Sequence, residues 1–165
     1  MRKALCTLLV VTILGGCGFQ PMYGTDAENT SVTAALAAIT INEIPDRLGQ
    51  QVHNELLDVI NPAGEPTNPA FSLSVRLVEE REDVGLRQDA SVTRANYRLQ
   101  AQFRLVDTTD ESVLIDGSTW AETAFDVVSS DYSTLISERA AQSRLARDVA
   151  LEIRNRLALY FGRDR

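Results

Sequence analysis

Three stretches of this chain alternate apolar and polar residues with a period of two, and few folds accommodate that. In Phe71 to Val78, the residues Phe71, Leu73, Val75 and Leu77 fall on one side and Ser72, Ser74 and Arg76 on the other. Asn96 to Val106 repeats the pattern, with Tyr97, Leu99, Ala101, Phe103 and Leu105 on the apolar side. Val113 to about Phe125 forms a third run, broken in phase. Trp120 does not alternate with Val113 and Ile115, so either a bulge lies near Gly117 or Trp120 faces outward. Successive side chains of a strand point to opposite faces of its sheet, so each run predicts a strand with one buried face.

Apolar residues elsewhere recur at helical spacing. Leu48, Val52, Leu56, Val59 and Ile60 make one stripe, with Asp46 placed to cap the first turn and Asn61-Pro62 to stop the last. From Tyr132 to Phe161 a second, longer stripe carries Ile136, Ala140, Val149, Ile153, Leu157 and Tyr160, with Ser130 or Asp131 as its cap. Ala37 to Ile44 reads as a first strand. Residues 61–69, NPAGEPTNP, can only be loop, and the charged segment EEREDVGLRQDASVTR reads as a long hairpin connection or a protruding tip. The order is β-α-β-β-β-α. The three amphipathic strands form a meander and the first strand joins by a crossover. The expected fold is therefore α+β, a two-layer sandwich with two helices on one face of a four-stranded mixed sheet.

The N-terminus reads differently. Arg2 and Lys3 precede the apolar run Ala4 to Leu14, which ends in Leu14-Gly15-Gly16-Cys17. The run is too short for a spanning helix, which needs about 20 residues, and it has the plan of a secretory signal. A cysteine after small residues is the bacterial lipoprotein pattern, with Cys17 as the lipidation site. The alternative is an ordinary signal segment with an incidental cysteine. On the lipoprotein reading residues 1–16 are signal peptide, 17–31 a lipidated N-terminus and tether, and 32–165 a single α+β domain. That domain holds no free thiol, because Cys6 leaves with the signal and Cys17 carries lipid. Several acyl chains together give stable membrane anchoring. Gly18, where an aspartate would favour inner-membrane retention, directs the protein to the periplasmic leaflet of an outer membrane.

The formal charge of −7 becomes −9 once Arg2 and Lys3 are removed, and no basic cluster interleaved with aromatics offsets it, so nucleic acid is not an expected partner. His53 is the single histidine and has no metal-ligand spacing around it. The carboxylates Glu79-Glu80 and Glu82-Asp83 lie in a polar segment without sign of burial. No enzyme activity, metal or cofactor is expected.

Several segments together resemble one known family. They are Cys17-Gly18-Phe19-Gln20-Pro21-Met22-Tyr23-Gly24, Asp46-Arg47-Leu48-Gly49-Gln50, the loop NPAGEP, Arg81-Glu82-Asp83-Val84-Gly85, Tyr97-Arg98-Leu99 and Arg156-Leu157-Ala158-Leu159-Tyr160. The chain resembles LptE, the lipopolysaccharide-assembly lipoproteins, in their alphaproteobacterial form. The resemblance implies a non-catalytic outer-membrane subunit that pairs 1:1 with the β-barrel LptD and binds lipopolysaccharide, and it implies two helices on a four-stranded sheet. An auxiliary lipoprotein of another envelope transport system, or a small periplasmic scaffold, is the alternative. No motif places the family's ligand contacts on this sequence. The candidate contacts to lipid phosphates are Arg81, Arg87, Arg94, Arg98 and Arg104, because a guanidinium fork donates two parallel hydrogen bonds.

Overall fold

The computed structural model describes residues 27–86, 92–128 and 130–163. Its elements are α1 (Ala27–Ala37), β1 (Ile39–Ile41), α2 (Asp46–Ile60), β2 (Phe71–Leu86), β3 (Val92–Asp107), β4 (Val113–Asp126) and α3 (Asp131–Arg163). The sheet order is β1-β2-β3-β4, with β1 parallel to β2 and the remaining pairs antiparallel.

The two-helix sandwich expected from the sequence is corrected. There are three helices among the described residues, in the order α-β-α-β-β-β-α. The extra helix, α1, begins inside the stretch read as a tether. Its sequence AENTSVTAALA carries no apolar stripe to announce it. Its alanines favour helix intrinsically, and among its described side chains Val32 and Leu36, four residues apart, reach the core. The first strand shrinks accordingly to Ile39–Ile41. Ile44, expected at its end, is buried just outside it.

The charged segment after Val78 continues as strand to Leu86, and strand is present again from Val92. β2 and β3 are 16 residues each and stay paired from Phe71↔Asp107 to Leu86↔Val92. The ladder with β3 holds the β3-facing backbone groups of β2 along the whole ribbon, so β2 continues as strand where its side chains are mostly exposed.

α3 lies over β3 and β4, α2 packs against α3 and β1, and α1 rests on α3. The core between helices and sheet includes Leu73, Val75, Leu99, Ala101, Phe103 and Leu105 from the strands. Leu48, Val52, Leu56 and Ile60 come from α2, and Leu145, Val149, Ile153 and Leu157 from α3. Full burial of each such side chain contributes about 1.5–3 kcal/mol. The N-terminal part of the expected α3 stripe is misplaced: Ile136 and Ala140 are exposed, and Ala141, Gln142 and Leu145 begin the buried face. α3 is capped by Ser130, whose Oγ accepts from the Ser133 N–H at 3.4 Å. Asp46 does not cap α2. The N-cap is Pro45, with no side-chain bond, and Asp46 itself has φ 70°. Gly49 is required one turn later, because a Cβ there would sit 2.7 Å from the Ile44 carbonyl oxygen.

The phase break in β4 is resolved on both counts. Val106 pairs with Val113 and Leu105 with Ile115, which leaves Leu114 as the extra residue, before Gly117. Trp120 then lies opposite Gln100 on the outer face, 62% exposed. Gly117 faces Phe103, whose ring would lie 3.1 Å from an added Cβ.

Candidate ligand- and partner-facing surface

The helices cover one sheet face. Along the other, cross-strand neighbours form rows: Ser74–Arg104–Asp116, Arg76–Gln102–Ser118, Val78–Gln100–Trp120, Glu80–Arg98–Glu122 and Val84–Arg94–Asp126. This outer face is dominated by arginine, amide and hydroxyl groups because the period of two sends every second residue of each strand away from the core.

Arg98 donates from Nε and Nη2 to Glu122 Oε2 at 3.0 and 2.7 Å, and its guanidinium lies 5.0 Å from the centre of the Trp120 ring. The bond to Glu122 and its charge hold the Arg98 pKa above its usual value. Arg104 makes the equivalent fork to Asp116 Oδ2 at 3.0 and 2.5 Å. The row Ser74–Arg104–Asp116 and its neighbours Arg76 and Gln102 line a hollow of about 440 Å³. A second hollow of about 280 Å³ is lined by Glu80, Arg81, Glu82, Asn96, Arg98 and Glu122, so carboxylates outnumber guanidiniums in it. An anion entering there would have to displace Glu122 from Arg98.

The candidate arginines do not converge. Arg94, Arg98 and Arg104 share the outer face of β3, but six residues at about 3.4 Å each separate Arg98 from Arg104. Arg81 lies on the inner side, 3.1 Å from Asp83, 3.6 Å from Glu138 of α3 and 5.4 Å from the Phe125 ring centre. Arg94 is exposed and carries no ion pair among the described residues. Arg87 and Cys17 lie outside the described residues.

A polar chain that sequence reasoning missed crosses the distal core. Arg47 of α2 donates to Gln142 Oε1, Gln142 Nε2 donates to the Tyr97 hydroxyl at 2.8 Å, and that hydroxyl donates to Glu79. Burial, then the bond to Glu79, pushes the Tyr97 pKa up to about 12, so the phenol stays neutral and can donate. The available signal was the interruption of the α3 stripe at Gln142. Arg47 and Tyr97 also belong to two of the segments that carry the family resemblance. His53 is half-buried, its Nε2 3.3 Å from the Ile41 carbonyl oxygen. No group of three or more His, Cys, Asp or Glu residues placed to hold a metal ion occurs among the described residues.

A family model described as "LptE: Lipopolysaccharide-assembly" matches residues 32–157. The chain belongs to the LptE family. The family is one of non-catalytic outer-membrane lipoproteins. An uncharacterized protein of Rickettsia prowazekii (strain Madrid E) is 23% identical over 159 residues, 96% of this chain and 98% of that one. Among solved structures, a Caulobacter crescentus CB15 protein described as a lipoprotein superposes with a TM-score of 0.70 at 21% identity, covering 82% of this chain and 98% of that one. Uncharacterized lipoprotein B from Nitrosomonas europaea has a TM-score of 0.57 at 13% identity, covering 76% and 83%. At these identities the two structures share the fold with this LptE-family chain.

Proposed function

We propose that this LptE-family protein is a subunit of the lipopolysaccharide translocon, of the alphaproteobacterial form. It is anchored through acylated Cys17 in the periplasmic leaflet of the outer membrane. It binds a large LptD-like β-barrel at 1:1, supports the assembly of that barrel and contacts lipopolysaccharide on its way to the outer leaflet. The match of the lipopolysaccharide-assembly family model to residues 32–157 carries this reading. The uncovered sheet face is compatible with it, since a polar, arginine-bearing face can meet either water or a polar partner.

Within that reading the phosphate contacts centre on the hairpin end. Arg94 has no carboxylate holding it among the described residues, whereas Arg81, Arg98 and Arg104 each do. Arg87, which lies outside the described residues, is its expected companion. One preparation tests both parts. Purification of the acylated protein in mild detergent should bring down a β-barrel at 1:1. Inner-membrane transporter subunits in its place would overturn the reading. On the same material, Arg87→Glu with Arg94→Glu should weaken lipopolysaccharide binding at least about tenfold, equivalent to 1.4 kcal/mol, with the barrel still bound. Unchanged affinity would remove the hairpin from the ligand site.

A further inference from the structure

Trp120, the chain's single tryptophan, stands on the outer face of β4. It reaches that face because β4 carries one extra residue at Leu114; with unbroken pairing it would turn inward. The indole is held from one side. Arg98, fixed by its fork to Glu122, lies 5.0 Å from the ring centre. Arg98 belongs to the row Glu80–Arg98–Glu122, and beyond the opposite side of the Trp120 row come Arg76–Gln102–Ser118 and then Ser74–Arg104–Asp116. Residues of those two rows line the hollow of about 440 Å³. Rows on one face repeat every two residues, roughly 7 Å, so a ring laid against the indole would reach Gln102 and Arg76.

The chemistry of the hollow is mixed. Arg76 and Arg104 only donate, the Asp116 carboxylate only accepts, and the Gln102 amide does both. Arg104 Nε and Nη2 both meet Asp116 Oδ2, which leaves Oδ1 without a hydrogen bond among the described residues. Arg76 has no ion pair among the described residues. Three classes of ligand fit this poorly. An apolar peptide would find polar residues in both rows that flank the indole. A cluster of phosphates would be repelled by Asp116 and would compete with it for Arg104. A nucleic acid would face an acidic domain. A pyranose fits, because one face of its ring is a sheet of C–H groups suited to an indole, and its rim of hydroxyls both donates and accepts.

We propose that Trp120 and the adjoining hollow bind an acidic pyranose unit of a saccharide. The sugar ring lies against the indole, neighbouring hydroxyls pair with Gln102 and Asp116, and the sugar carboxylate takes the fork of Arg76. Arg98 is a positioning residue that holds the indole. The site lies apart from the hairpin end, so it goes beyond the proposed function and does not rest on it.

The test uses the full-length protein in a sugar-free zwitterionic detergent, with tetragalacturonate as the acidic probe and maltotetraose as the neutral one. Because Trp120 is the only tryptophan, its fluorescence reads the site directly. It should change saturably with tetragalacturonate, with a dissociation constant of about 1 mM or lower, and more weakly with maltotetraose. Arg76→Ala should weaken tetragalacturonate binding at least about fivefold, roughly 1 kcal/mol, and leave maltotetraose binding unchanged. Nuclear magnetisation transfer from protein to sugar should vanish in Trp120→Ala and persist in Trp120→Phe. No fluorescence change with either sugar overturns the proposal, as does transfer that survives in Trp120→Ala. An equal response to inorganic phosphate makes the hollow an anion site and overturns it. Loss of sugar binding in Arg87→Glu with Arg94→Glu moves the contact to the hairpin end and overturns it too. Sugar binding without any co-purifying barrel supports the site and sinks only the translocon reading. A shielded Trp120 in the barrel complex, with no response to sugar, assigns the indole to a protein contact, overturns the proposal and leaves the translocon reading standing.

Discussion

The two halves of the β2–β3 ribbon are built from the same backbone ladder and opposite side-chain logic. In the near half, Leu73–Leu105–Ile115 and Val75–Phe103–Gly117 press against the helices, and polar residues are confined to the outer face. In the far half the inner side carries Glu79, Arg81 and Asp83, and it is stitched to α3 by Tyr97–Gln142 and Arg81–Glu138. The difference teaches that alternation reports burial, not strand. Along β2 beyond Val78 the ladder continues without the pattern. The near half supplies most of the hydrophobic stability, and in the far half the buried Ala95, Tyr97 and Phe125 are joined by polar contacts of low individual worth.

The contrast breaks most easily at the near half. Leu105→Ala, at a fully buried site, should cost about 2–5 kcal/mol through lost transfer energy and a cavity. An equal shift in denaturation midpoint for Val84→Ala, in the far half, would erase the distinction. Gly49→Ala, beside the near half, should cost about 1–3 kcal/mol by forcing the Ile44 carbonyl to move, against a gain of up to ~1 kcal/mol in helix propensity. A more stable variant would mean that the close approach is relieved at no cost.

Tyr97→Phe probes the boundary between the halves and should cost about 1 kcal/mol, the net worth of an ordinary hydrogen bond. Its pH dependence is more telling. The folded state raises the Tyr97 pKa from 10.0 to about 12, so the folded state holds its proton more tightly than the unfolded state does. The stability tied to the neutral phenol is complete below pH 10 and falls as pH rises toward 12. Denaturation at a series of alkaline pH values should show that fall in the wild type and a shallower one in Tyr97→Phe. Smallest of all, a double-mutant cycle on Arg98 and Glu122 should give about 0.2–1 kcal/mol, the range of exposed pairs. It should shrink at high salt. A coupling well above that would mark the outer face as stabilising in its own right.

Some of the fold was legible in one dimension. The apolar sides of β2 and β3 and the stripe on α2 follow from periodicity, because burial on one side imposes a period on sequence. The helix α1 and the distal strands were not legible, since Val32 and Leu36 alone make no stripe and EEREDV has no apolar alternation to read. For the candidate site, the sequence named the arginines but could not say that Arg81 lies on the inner side of the sheet, or that Arg98 and Arg104 are held by Glu122 and Asp116. Of the Arg47–Gln142–Tyr97–Glu79 chain it held only the break in the α3 stripe at Gln142. Those groups are far apart along the chain and meet only when α2, α3, β2 and β3 pack.

Periodicity and composition by themselves determined which side chains of α2, β2 and β3 leave water, that the domain is acidic, and where an acyl anchor is expected. Tertiary structure alone decided which arginines are held by carboxylates, where Trp120 faces and how little of β2 is covered by β1. The physical reason is one of range. Burial pattern and charge are carried by neighbours along the chain, whereas ion pairing, face assignment and an open edge depend on residues brought together across the sheet.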